Sequence, residues 1–157
     1  MQRKRLVTVV LAGAAAAAIA VGTAAVAAAA PHGRAAASTP TLAVHSSKYG
    51  KILVTGKGFT VYLWAKDKND KPACSGPCLD VWPFVKVTGK PTAGSGVNAK
   101  LIGTIKVGGV TELTYDKHPL YTYVSDVKAG DITGQGNTSF GAPWWLVSPS
   151  GSAITKK

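Results

Sequence analysis

From residue 48 onward the apolar positions come in short runs, each broken by Gly, Pro, Asn, Asp or Lys. No window of a dozen residues keeps the three-and-four spacing of a helix without a Gly or Pro, whereas β-branched residues and turn formers alternate throughout. An all-β domain without helix is therefore expected over 48–157. The run at 52–55, the turn Gly56, Lys57, Gly58 and the run at 59–65 read as a hairpin. A second set follows in the same order, with a run at 110–114, a turn at 115–118 and a run at 119–124. Residues 101–107 add a connecting strand, and 90–99, rich in small turn formers, a surface loop.

The two sets are copies. Tyr62, Trp64 and Asp67 lie 59 residues before Tyr121, Tyr123 and Asp126, and Val54 and Thr55 lie the same distance before Leu113 and Thr114. After three further residues the match resumes, with Trp82 and Val85 lying 62 before Trp144 and Val147. A match this extended is a statement about fold. Two similar units of hairpin plus strand, about 48–89 and 101–151, are expected to pack as a small sandwich or barrel.

The duplicated phrase, tyrosine, any residue, aromatic, two residues, aspartate, has a physical reading. Residues two apart on a strand share a face, so Tyr62 and Trp64 take one side while Val61, Leu63 and Ala65 take the other. Apolar character on both faces suits a strand covered on both sides. Asp67 and Asp126 stand where the chain leaves the strand, and a short carboxylate there accepts N–H bonds from the following loop. The competing reading of these aspartates is a cation or catalytic site.

The first three dozen residues differ in character. Arg3, Lys4 and Arg5 precede an uncharged run from 6 to 30, followed by small residues in A-x-A order, which reads as a signal peptide over 1–30, its apolar part helical. The run is long enough to span a bilayer, but its alanines contribute little apolar area, so cleavage is expected over a retained anchor. No cysteine lies near the leader to carry a lipid. Residues 31–47, rich in Ala, Ser, Thr and Pro, read as a disordered linker. Of the +11 formal charge, the domain keeps fourteen lysines against seven acids and no arginine. Without the guanidinium fork, specific nucleic-acid binding is not expected, and the lysines imply solubility and loose attraction to anionic envelope polymers.

Candidate chemistry is sparse. Cys74 and Cys78 form the one cysteine pair of an exported chain, so a disulfide is the default. Three intervening residues in a loop do not make a redox motif at a helix N-terminus, and His45 and His118 have no recognised zinc spacing to the cysteines. Six of the seven acids fall in turns or loops and Glu112 in a strand. The loop at 126–136 lacks the acids of a calcium loop. No catalytic residue, metal ligand or cofactor site is selected. Trp144 and Trp145 point to opposite faces of one strand, so one fills the core and the other is a candidate ligand contact, an indole able to stack on a sugar ring.

The phrases VYLWAKD, CSGPC, VWPFV, HPLYTYVSD, GDITGQG and WWLVSP, in this order, resemble the bacterial secreted repeat family also described as predicted lipoproteins with a Y-x-[FWY]-x-x-D motif. The resemblance implies export, two repeats and a paired cysteine loop, and supplies no catalytic or cofactor residue. Two departures stand out. The lipid-bearing cysteine of relatives is missing, and the second turn reads Tyr115, Asp116, Lys117, His118 where relatives often place Asn-Gly, which implies a less tight turn. The functional expectation is a secreted or cell-envelope domain without catalysis that binds an extracellular or envelope ligand. The alternative is an envelope redox or metal-handling protein using Cys74 and Cys78. Neither the ligand nor the oligomeric state is named by the sequence.

Overall fold

The structure, a computed structural model, describes residues 41–156. The expected leader, its helix and the first part of the expected linker lie outside these residues. The strands are β1 (Leu42–Ser47), β2 (Gly50–Thr55), β3 (Tyr62–Trp64), β4 (Ile102–Val107), β5 (Val110–Tyr115), β6 (His118–Pro119), β7 (Trp144–Val147) and β8 (Ala153–Ile154). They form three antiparallel sheets, β1-β2, β3-β7-β8 and β4-β5-β6, and no closed barrel.

Several expectations need correcting. The linker does not extend to residue 47, because 42–47 pairs along its whole length with β2, and Leu42 is fully buried. His45 and Ser46 in this stretch are exposed on a strand, and composition cannot distinguish such polar positions from a linker. The described residues also include one short α-helix, α1 (Pro77–Val81), too brief to show a periodic pattern and started by a proline at its first turn, and two 3-10 turns, Ala99–Leu101 and Ser139–Gly141.

The copies are related by an approximate two-fold. Tyr62 and Tyr121 exchange main-chain bonds, N–H to carbonyl, at 2.8 and 2.9 Å, so the equivalent strands of the two repeats lie antiparallel at the axis. Around it each repeat lends a strand to the other. Tyr62 pairs with Leu146, and Tyr121 pairs with Phe84, which occupies the position equivalent to Leu146. The hairpins match with a one-residue shift from the sequence alignment: Val61 donates to Leu53 and Leu120 to Leu113, making Leu53 rather than Val54 the counterpart of Leu113. The first turn, between the paired Val54 and Thr60, holds one residue more than the second, between Thr114 and Pro119. That second turn is tight after all. Tyr115 pairs with His118, leaving Asp116 and Lys117 as a two-residue loop with φ of 48° and 64°, the left-handed values such a hairpin requires.

Alternation sorts the core into two clusters. Ile52, Val54, Tyr62, Trp64 and Leu146 face one, whereas Leu53, Val61, Leu63 and Val147 face the other, so β2, β3 and β7 are covered on both sides. The first cluster is built on rings. Trp64 stacks on Trp144 at 5.0 Å, Trp144 on Trp82 at 3.9 Å, and Trp82 on Tyr123 at 4.2 Å, a four-ring column whose two halves are related by the repeat. Tyr62 and Tyr121 meet Trp82 and Trp144 edge-on, again in equivalent places. Rings of this size bury large apolar areas, and offset or edge-on contacts add to that burial.

Candidate functional site

The motif residues form two clasps that join the repeats. The Tyr62 hydroxyl donates to Asp126 Oδ2 at 2.7 Å, and the Tyr121 hydroxyl donates to Asp67 Oδ2 at 2.9 Å. Each tyrosine thus reaches the aspartate of the other copy. The second oxygen of each carboxylate serves its own loop: Ala73 N–H donates to Asp67 Oδ1 at 2.7 Å, and Thr133 N–H to Asp126 Oδ1 at 2.8 Å. Burial raises both phenol pKa values far above their ordinary value, and raises that of Asp67 against the lowering effect of its donors. Each carboxylate is held by a different tyrosine and a different loop, so the two do not converge on a shared ion.

Gly134 explains how the second loop comes so close. A side-chain carbon there would lie 2.7 Å from Trp82 Cη2 and 3.0 Å from Tyr62 Cζ, so only glycine lets this backbone lie on the rings. Its N–H donates to the Tyr62 hydroxyl at 3.2 Å. Gln135 continues the loop inward, accepting from Leu146 N–H and donating to the carbonyl of Ile154.

The other sequence candidates divide. Cys74 and Cys78 are bonded to each other and both buried, which fastens the loop between Asp67 and Trp82. His45 sits in β1 and His118 in β6, and among the described residues no three His, Cys, Asp or Glu gather where they would hold a metal. Trp144 is fully buried in the ring column, and this removes it as a ligand contact. The physical reason is that its face of β7 is the inner face of the two-fold. Trp145 turns the other way and is half-buried against the second cluster.

Sequence reasoning passed over two features. Glu112 is wholly buried with neither carboxylate oxygen hydrogen-bonded among the described residues. Burial, then the charge of Asp67, pushes its pKa up to about 9. The shifted hairpin register makes Ile52 its counterpart, so the second repeat carries an acid where the first carries a hydrocarbon. Its position as the one acid in a strand was the available signal.

The second feature is a cleft of about 590 Å³. One wall is the first repeat's turn, with Lys57 and Phe59; the other is contributed by Phe84, Lys86, Thr122 and Tyr123. Its counterpart across the two-fold is closed. There the chain turns sharply after β7, Gly151 N–H donating to Ser148, and the turn lies on Asp116, whose Cβ is 2.5 Å from where a Gly151 side-chain carbon would stand. The Tyr115 hydroxyl holds that turn by donating to the Pro149 carbonyl at 2.7 Å. On the open side the equivalent strand does not turn back. It runs on beside β5, Leu113 N–H donating to Val85 and Val87 N–H to Thr111, and the cleft stays uncovered. No sequence pattern marks this, because the walls come from segments tens of residues apart.

A family model described as a secreted repeat of unknown function matches residues 43–86 and 108–148. The matched segments span more than half of the chain, and the chain belongs to this family of secreted repeats, with two copies of the repeat. The first segment takes in β1 from Ala43 onward, the second begins just after β4, and each falls within one half of the two-fold. No curated protein and no solved structure matches the chain.

Proposed function

We propose that this is a non-catalytic binding domain, acting outside the cell or within its envelope, and that its ligand sits in the cleft between the first repeat's turn and the strands at 84–86 and 122–124. The observation that carries the reading is the break in symmetry: of two equivalent clefts, one is filled by the chain's own turn at 148–151 and the other is open. Its volume is in the range of small-molecule and oligomer sites, roughly 300 to 1,000 Å³. Burying the motif rings and spending the motif carboxylates on clasps assigns these residues to scaffolding, which turns the search to the surface clefts, and among them this one is set apart by the break in symmetry. The alternative of redox or metal handling finds no observation in its favour, since a buried disulfide offers no thiolate.

The test is retention of the full-length chain on isolated cell-envelope material at physiological salt, compared with Lys57→Glu/Lys86→Glu and with a variant carrying two equivalent reversals at exposed lysines outside the cleft lining, Lys71 and Lys156. Loss of retention only in the cleft variant is expected. Equal retention of all three removes the cleft from the function.

A further inference from the structure

We infer that the cleft takes an acidic saccharide, a sugar bearing a carboxylate or a phosphate. This rests on the reading of the cleft as the binding site and adds the chemistry of its occupant.

The lining presents three kinds of group. Lys57 and Lys86 are exposed there, and among the described residues the ion pair is between Lys128 and Asp131, which leaves both cleft ammonium groups unpaired by a carboxylate. The one acid in the lining, Asp126, is buried and already accepts from Tyr62 and Thr133. The cleft field is therefore positive, and lysine acts as a point charge suited to carboxylate or phosphate.

Aromatic surface is the second kind. Phe59 and Tyr123 are half-buried in the lining, and Tyr123 is fixed by its stack on Trp82. A ring held from behind presents its free surface at little entropic cost, which suits the apolar face of a sugar. Hydroxyls are the third. The Thr41 and Thr55 oxygens accept from Thr92 N–H and Phe59 N–H, so their positions are set while their own protons remain able to donate.

Main-chain donors, by contrast, are largely used. The N–H groups of Thr55, Gly56, Val85, Thr122 and Val124 all bond within the chain. An extended peptide adding itself as a strand needs a free edge, and these residues do not supply one. Recognition through side-chain charge, hydroxyl and ring favours an acidic sugar over an acidic peptide.

The experiment is a titration of the isotope-labelled full-length chain, following the amide signals of Gly56, Thr122 and Val124. Trigalacturonate tests the carboxylate form and glucose 1-phosphate the phosphate form. Maltotriose is the uncharged control and triglutamate the acidic peptide. Saturable shifts with either acidic sugar are expected, with the two controls at least about tenfold weaker. Lys57→Gln and Lys86→Gln should each weaken that binding about two- to fivefold, as exposed charge pairs do, with unchanged unfolding midpoints. No shift with either acidic sugar, or equal binding of maltotriose or triglutamate, overturns the ligand class. The envelope-retention comparison still decides the cleft itself, so the two failures are separable.

Discussion

Tyr62 and Tyr121 face each other across the approximate two-fold, joined by two main-chain hydrogen bonds at 2.8 and 2.9 Å, while their hydroxyls reach away to Asp126 and Asp67. The recurring phrase is thereby a device for holding two copies together. A single repeat would have a tyrosine without its acid and an aspartate without its phenol, and each buried polar group left alone costs free energy. The energetic weight of the clasps can be read directly.

Tyr62→Phe removes the hydroxyl from buried Asp126 and from Gly134 N–H. A loss of about 1–3 kcal/mol is expected, the cost of leaving a buried acceptor short of a donor. Tyr121→Phe should cost less, because Asp67 is only half-buried and water can replace the phenol. Urea unfolding of the two variants gives the order, and the reverse order would show that the clasps are not equivalent in the way described.

Glu112 predicts an unusual dependence of stability on pH. Its pKa rises from 4.5 to about 9 on folding, so the folded protein keeps a proton that the unfolded chain has already released. Stability from this group is fully present below pH 4.5 and falls as pH climbs toward 9, by up to about 1.4 kcal/mol per pH unit. Glu112→Leu places in the second repeat the kind of side chain Ile52 supplies in the first. It should raise stability at neutral pH by about 1–3 kcal/mol and flatten the slope. Denaturant midpoints at acid, neutral and alkaline pH check both.

The disulfide closes a loop of sequence separation 4. Chain entropy for so short a loop amounts to roughly 2 kcal/mol, so Cys74→Ala/Cys78→Ala should lower stability by about that much and leave the domain folded. Tryptophan fluorescence is the readout, since the bonded cysteines pack in the same core cluster as the ring column. A protein unfolded by reduction alone would mean the loop carries more of the core than its size implies.

Gly134→Ala forces a methyl group against Trp82 and Tyr62. Overpacking of this kind costs typically about 1–3 kcal/mol. The near-ultraviolet circular dichroism of the stacked tryptophans should change with it, whereas Gly108→Ala, strained by its φ of 54° but with open space around it, should lower stability without altering that signal.

The pattern of residues was informative wherever the physics is local. Alternation at 61–65 placed Tyr62 and Trp64 on one face and Val61 and Leu63 on the other, and the two clusters divide them in that way. Trp144 and Trp145 separated for the same reason, but which of them lay inside depended on the neighbouring strand. Strand β1 was hidden because its outward positions carry Ser and His, as a linker might be composed, while its inward partners lie on β2. The hairpin shift was hidden because one residue more in a turn changes no composition.

Taken alone, then, the order of amino acids determined that the domain is built from strands, that it contains two copies of one unit, and that Asp67 and Asp126 end the ring-bearing strands. Those properties follow from two-residue periodicity, turn chemistry and internal identity, all written within a few residues. Folding in three dimensions decided that each tyrosine pairs with the other copy's aspartate, that Glu112 is enclosed, and that one of two equivalent clefts stays open. Each of these depends on which distant segment lies alongside, a choice made by the packing of the whole core.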